Sequence, residues 1–406
     1  MINEPSAGGG PLAGIRVVDA TRFLGAYAAR LLADLGADVI RVEAPGDEDA
    51  EDGHGAESHF ARFVNSSKRS ITIDLRRPEG RALLDRLLER SDALIESFPA
   101  AWADDVGLDP ASLAARHPRL VQVSVSSYGR DRTDGRTDDD LTLLAAGGLL
   151  HLGGYPDAEP MAAFGRQSHM AASLFAAVGA LVALLDRARL GRGRWVDVSA
   201  QESLAQAVED SVATYELTGH VRNRLGSEPR EAGTGVYACA DGFVTMVAGR
   251  LGTTKAWHAL IAWMVEDGVP GADELTKSEW ATLPHRQRPE AIERFGEVFG
   301  AFTADRTRLD LYRGAQERGI ALSPVNDVAA VLDDPQLAAR GFFVDVEDAQ
   351  LGRRIRYPGP PYRLSATPAA LARPAPGHGA DTDDVLRDIL DVEEETLTSL
   401  RQAGIV

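Results

Sequence analysis

Gly14-Ile-Arg-Val-Val-Asp-Ala-Thr21 and Leu31-Leu-Ala-Asp-Leu-Gly-Ala-Asp-Val-Ile-Arg-Val-Glu43 read together as strand, helix, strand. The first is a β-branched run ending at Asp19. Residues 28–35 repeat their apolar side chains with a helical period, and the second run closes on Glu43, Pro45 and Gly46. This βαβ unit heads an α/β domain, and the alternation continues beyond it. Arg69-Ser-Ile-Thr-Ile-Asp-Leu75 alternates as a strand, residues 78–90 form an amphipathic helix with proline in its first turn, and 93–98 and 120–126 are strands around a helical segment at 110–116. Strands alternating with helices predict a parallel sheet whose ligands lie outside the carboxyl ends of the strands. The candidate loops therefore follow Asp19, Glu43, Glu96 and Ser126.

Residues 171–185 form an apolar, small-residue-rich helix with almost no polar face, predicted to lie between layers or subunits. Gly191-Arg-Gly-Arg-Trp-Val-Asp-Val-Ser199 returns to strand, and 201–218 reads as one long helix. Residues 233–249 form a hairpin around Ala240-Asp-Gly242, followed by helical patterns at 257–265, 290–302 and 309–318. The expected layout is a large domain from 1–215, a linker at 216–230, a small α+β domain at 231–330, and a linker with the rest of the large domain at 331–406. Helices at 382–390 and 393–403 finish the chain. Residues 1–10 and 46–59, rich in small and polar residues, read as unstructured.

With 406 residues, 44% of them hydrophobic, the chain can bury a large core and exceeds one ordinary domain. The single cysteine, Cys239, excludes an intramolecular disulfide and a cysteine-based zinc site, and no metal is expected. Met1-Ile-Asn-Glu-Pro lacks the basic region and apolar core of a leader, which predicts a cytoplasmic protein. No apolar run approaches the roughly 20 residues that cross a bilayer, since the longest, 174–185, stops at Asp186-Arg187, so no membrane is expected. A net charge of −18 argues against nucleic acid, and any polyanionic ligand must be held by local cations or helix N-termini.

Several landmarks occur in a fixed order: Gly36-Ala-Asp-Val-Ile-Arg-Val-Glu43, Lys68-Arg-Ser-Ile-Thr-Ile-Asp-Leu75, the 191–199 strand, Pro324-Val-Asn-Asp327, Asp334-Pro-Gln-Leu337 with Arg340-Gly341, and Pro358-Gly-Pro-Pro361 with Thr367-Pro368. The chain from residue 11 to its end thereby resembles the family III CoA-transferases, which include formyl-CoA and carnitine CoA-transferases and the α-methylacyl-CoA racemases. The resemblance implies a Rossmann-like large domain formed by both chain ends with an inserted small domain. It implies two subunits interlocked like chain links, as a homodimer or as a heterodimer with a paralogous subunit. The implied substrates are coenzyme A, as an acyl-CoA, and a small carboxylic acid.

In the transferases an aspartate carboxylate attacks the thioester. Counting back from Leu174-Phe-Ala-Ala-Val-Gly179 puts that aspartate at His169, and the racemase pattern puts it at Ser168; neither is a carboxylate. His169 then reads as an acid/base or acyl acceptor oriented by Asp139 or Asp140, or as a helix-entry histidine without chemistry. Ser168 reads as the N-cap of the apolar helix, there being no Gly-x-Ser-x-Gly elbow. Asp138-Asp-Asp140 reads as a solvated loop sooner than as a metal site. Arg22 and Phe23 after the first strand, Lys68 and Arg69 before the third, and Phe98 are the candidate CoA contacts. Other family elements are altered: Gly25-Ala-Tyr27 stands for Ala-Gly-Pro, Pro99-Ala-Ala101 for Arg-Pro-Gly, and Asp105 for a cation, which weakens an expected diphosphate site. Gly249-Arg-Leu-Gly252 occupies the place of the family's glycine-rich lid, although it also reads as a plain hairpin exit.

Overall fold

The computed structural model describes residues 9–46, 56–131, 139–227, 229–248 and 254–406. Asp138, the Gly249-Arg-Leu-Gly252 segment and most of the stretches expected to be unstructured lie outside the described residues. Positions 56–59 are an exception, since they begin a helix. The chain divides into two compact units, one of Met1–Gly153, Pro160–Arg222 and Pro335–Val406, the other of Gly154–Glu159 and Asn223–Asp334.

The first unit is built on β1 (Arg16–Ala20), α1 (Ala26–Asp34), β2 (Asp38–Glu43), α2 (Ala56–Asn65), β3 (Arg69–Thr72), α3 (Pro78–Glu89), β4 (Ala93–Glu96), α4 (Ala100–Asp105), α5 (Pro110–Arg116) and β5 (Val121–Ser126). It continues with α6 (Asp140–Ala146), α7 (Leu149–Leu152), α8 (Gln167–Leu190) and β6 (Trp195–Ser199). The six strands are all parallel, in the order β3-β2-β1-β4-β5-β6. Winding reverses between β1 and β4, so the crevice beyond their carboxyl ends is the place where open sheets of this order take ligands.

Parallel strands covered on both faces are apolar on both sides through their middles. Successive residues Val17 and Val18 point to opposite sides. Val17 joins Val39, Ile95 and Val123 under α1 and α8, whereas Val18 joins Ile40, Ile71 and Leu94 under α3 and the C-terminal helices Thr382–Asp388 and Glu394–Gln402. The chain end is fastened to β3 and its exit: Asp381 accepts from the Ser70 N–H, Thr382 Oγ1 from the Thr72 N–H, and the Ile405 carbonyl from the Asp74 N–H.

Helix α8 extends well beyond the apolar run expected, spanning 24 residues, because polar residues continue it at both ends. Counted with those polar ends it is long and apolar enough to cross a bilayer, although the apolar run within it is shorter, as expected. Here it lies against α1, β5 and β6. Its buried side is alanine-rich (Ala172, Ala176, Ala180, Ala183), which lets the backbone approach the sheet. Its other side leaves Leu174, Val178, Val182 and Leu185 between 51% and 75% exposed. The single helix expected at 201–218 is two, Ala200–Gln206 and Glu209–Thr218, broken at Val208 (φ −108°, ψ 25°).

In the second unit β7 (Thr234–Cys239), β8 (Gly242–Val247) and β9 (Ala321–Pro324) form an antiparallel sheet. It is packed on a core of Trp257, Phe295, Phe299 and Phe302. Back in the first unit, β10 (Phe343–Asp348) pairs antiparallel with β11 (Arg353–Pro358), and the ion pairs Asp345–Arg356 and Glu347–Arg354 join residues directly opposite one another. These two strands have no counterpart in the sequence reading, because the charged residues that pair across them read as a polar linker.

Candidate active site

The loop after β1 is held by a buried polar knot. Asp19 Oδ1 accepts from the Thr21 N–H and hydroxyl at 3.1 and 2.7 Å. The Lys68 ammonium donates to Asp19 Oδ2 at 2.6 Å, Asn65 Oδ1 at 2.9 Å and the Ala26 carbonyl at 2.9 Å. Lys68 and Asp19 are both fully buried. Burial pulls the lysine pKa down to about 8 against the opposing pull of Asp19. An ammonium has three hydrogens to give, and all are taken here. Gly25 caps α1 with φ 90°, and a Cβ there would stand 3.1 Å from both Thr21 and Val125, so the turn requires glycine.

Arg69 points elsewhere. Its guanidinium grips both carboxylate oxygens of Asp38, which also pairs with Arg16. Asp38 opens β2, at the amino ends of the strands and away from the ligand crevice. Phe98 packs on Trp102 with ring centroids 4.9 Å apart and planes tilted by 54°, against the apolar cluster that holds Val18 and Ile40. Asp105, the last residue of α4, is exposed.

Arg22 and Phe23 do reach the crevice. Arg22 is exposed and its N–H donates to Ser97 Oγ at 3.3 Å, tying the loop after β1 to the loop after β4. Phe23 lies 6.2 Å from Phe60, and the Arg166 guanidinium sits over both rings at 5.0 and 5.4 Å. The Phe60 and His169 rings meet nearly at right angles, their centroids 6.4 Å apart.

The entrance of α8 differs from the expectation. Arg166 is the N-cap, without a side-chain capping bond, and Ser168 lies one position inside the helix. The capping oxygen comes from another helix: Asp140 Oδ1 accepts from the Ser168 N–H at 2.8 Å and from its hydroxyl at 2.6 Å. That arrangement satisfies an orphan donor of the first turn and places negative charge at the helix N-terminus. Asp139 caps α6 in a capping box with Thr142.

His169 Nδ1 is 3.2 Å from Ser168 Oγ and 3.7 Å from Asp140 Oδ1. Because the serine proton goes to Asp140, the hydrogen-bond network assigns Nδ1–H to the histidine as donor and leaves Nε2 as the acceptor. Burial lowers the His169 pKa and the Arg166 charge lowers it further, against Asp140 and Asp139, so the ring is neutral at neutral pH. Ser168 is 0% and His169 8% exposed.

Reading the sequence missed Phe60, Arg166 and Glu96. Glu96 ends β4 beside the winding reversal and is 1% exposed. Its carboxylate accepts from Ser124 Oγ, from Gln122 Nε2 at 3.3 Å and from the Phe98 N–H at 2.8 Å. Burial raises its pKa against these donors. A carboxyl that holds its proton more tightly when folded loses stability as pH rises through and above the ordinary glutamate value of about 4.3. Glu96→Gln keeps an acceptor for Phe98 and cannot ionise. Its stability relative to the wild type is therefore expected to climb with pH over that interval in urea unfolding, and a relative fall would contradict the assignment.

The family model described as CoA-transferase family III matches residues 12–382. The chain is 34% identical over 382 residues to the succinyl-CoA:(R)-benzylsuccinate CoA-transferase subunit BbsE of Thauera aromatica, covering 91% of this chain and 92% of that protein. It is 32% identical over 411 residues to the succinyl-CoA--D-citramalate CoA-transferase of Chloroflexus aurantiacus, covering 98% of each. Among solved structures, a CAIB/BAIF family protein from Brucella suis superposes with a TM-score of 0.82 at 26% identity, over 94% of this chain and 100% of that one.

Proposed function

Because the chain belongs to CoA-transferase family III, we propose that it works in acyl-CoA metabolism as one subunit of a transferase moving CoA between an acyl-CoA and a carboxylic acid. In this reading a paralogous chain supplies the nucleophilic carboxylate. The observation that carries it is the entrance of α8, where both positions matching the family nucleophile lack a carboxylate, are buried and are tied to Asp140. Asp140 itself is spent on capping. Exchange without hydrolysis needs a carboxylate: it attacks the thioester to give an anhydride and CoA thiolate, and the thiolate then takes the enzyme's acyl carbon while the first acid leaves. The second acid reverses both steps. Succinyl-CoA, named in both relatives, is the donor to try first.

Arg22 and Phe23 are the residues we assign to ligand contact, since they stand at the crevice. Lys68, Arg69 and Phe98 are assigned to the scaffold, their polar or aromatic groups being already engaged. The same reading makes the large domain Rossmann-like, formed by both chain ends, and the assembly an interlocked, cytoplasmic dimer. The exposed stripe of α8 supports association, since so contiguous an apolar surface marks a protein interface. Val178→Asp with Val182→Asp is expected to yield monomer by light scattering, and an unchanged mass would reject α8 as the interface. Native mass spectrometry of the protein from its own host tests the pairing: a complex with a second family chain is expected, and a purely homomeric enzyme with full exchange activity would refute it.

A second reading is a racemase-like proton transfer through His169. It is favoured by a neutral imidazole with its Nδ1–H directed at Ser168, whose hydroxyl is held by Asp140.

A further inference from the structure

The second unit holds a cleft of about 270 Å³ between the helix Thr254–Glu266 and the consecutive 3-10 turns Ala272–Thr276 and Ser278–Ala281. Nothing in the reading of the α8 entrance involves it, and it belongs to the other compact unit. Its floor is Trp257, Ile261 and Leu275, and Val265 extends the apolar wall to the surface. The floor is rigid: Trp257 stacks on Trp280 at 6.2 Å on a nearly parallel plane, and the Arg286 guanidinium lies 4.6 Å from the Trp257 ring.

The rim carries one lysine. Lys277, the residue joining the two turns, borders the cleft together with His258, and among the described residues no Asp or Glu lines it. Among the described residues neither side chain has a hydrogen bond or ion pair, in a chain with 61 acidic residues against 43 lysines and arginines. A cation left without an acid beside apolar walls is complementary to an amphipathic anion. The volume is below that of pockets for drug-sized ligands, roughly 300–1,000 Å³, so CoA is far too large and a single ring or short branched chain fits.

We propose that this cleft binds a small carboxylic acid, its apolar body against Ile261, Leu275 and Val265 and its carboxylate on Lys277. It gives the second unit a carboxylate site of its own, and it stands whether or not a paralogous subunit supplies the nucleophile.

The test uses the full chain in its purified assembly, with benzoate as probe and benzyl alcohol as its uncharged counterpart, titrated by calorimetry and by tryptophan fluorescence at constant ionic strength. Benzoate is expected to saturate in the millimolar range, with benzyl alcohol and Lys277→Gln each weakening binding about tenfold, the scale of losing one charge-assisted contact. Ala262→Trp, on the exposed part of the wall, is expected to fill the cleft and abolish binding while leaving circular dichroism unchanged. An unsaturable signal, benzoate binding undiminished by Lys277→Gln, or binding retained in a folded Ala262→Trp protein each overturns the proposal.

Discussion

Lys68→Met is expected to lower the unfolding free energy by about 3–5 kcal/mol, the cost of leaving one partner of a buried ion pair uncompensated. Asp19 has no exposed surface through which water could replace the ammonium, and Asn65 and the Ala26 carbonyl would lose their donor in the same step. Pairing it with Asp19→Asn is expected to recover much of that loss, because the uncompensated charge is then gone. Urea unfolding of the two variants measures both. If Lys68 were instead a surface cation waiting for a phosphate, Lys68→Met would cost little stability and would weaken CoA binding.

The second large effect concerns turnover. In the proposed complex of this chain with a paralogous one, replacing the partner's nucleophilic carboxylate is expected to reduce CoA exchange at least about a thousandfold, as removal of a covalent nucleophile does. His169→Ala in this chain is expected to change turnover by less than about threefold, against the roughly hundredfold or more that losing a general acid or base costs. The buried, neutral ring under Phe60 is read as packing and as a contact for Ser168. A hundredfold loss in His169→Ala, with stability unchanged, would move the account to the racemase-like reading.

The βαβ unit at the head of the chain was legible because its information is local. Val17-Val18 and Val39-Ile40 must be apolar on both faces, and the resulting runs lie open in the sequence. The family was legible for a related reason: its landmarks are short, contiguous and ordered. What escaped was non-local. Ser168 looks like a cap from its neighbours, but the capping oxygen arrives from Asp140, 28 residues upstream, and α8 begins earlier than its apolar residues do. Arg166 and Phe60 belong to no motif and acquire meaning only when α2 and α8 bring them together over Phe23. Lys68 and Arg69 were read as one basic pair, yet adjacent residues of an extended chain point to opposite sides, and here one is sealed against Asp19 while the other grips Asp38. Glu96 stood at the end of a strand already flagged for its loop; what could not be read was that neutral donors from β5 and the Phe98 N–H would bury its carboxylate.

The central claim, that this chain provides no nucleophilic carboxylate of its own, is tested most directly by trapping. The purified chain, alone and in complex with its paralogue, is incubated with succinyl-CoA, treated with hydroxylamine or borohydride, and mapped by peptide mass spectrometry. The account predicts modification in the paralogue and none in this chain. A trapped adduct on Asp139, Asp140 or Glu96 of this chain would contradict it and make the protein a self-sufficient transferase with a relocated nucleophile.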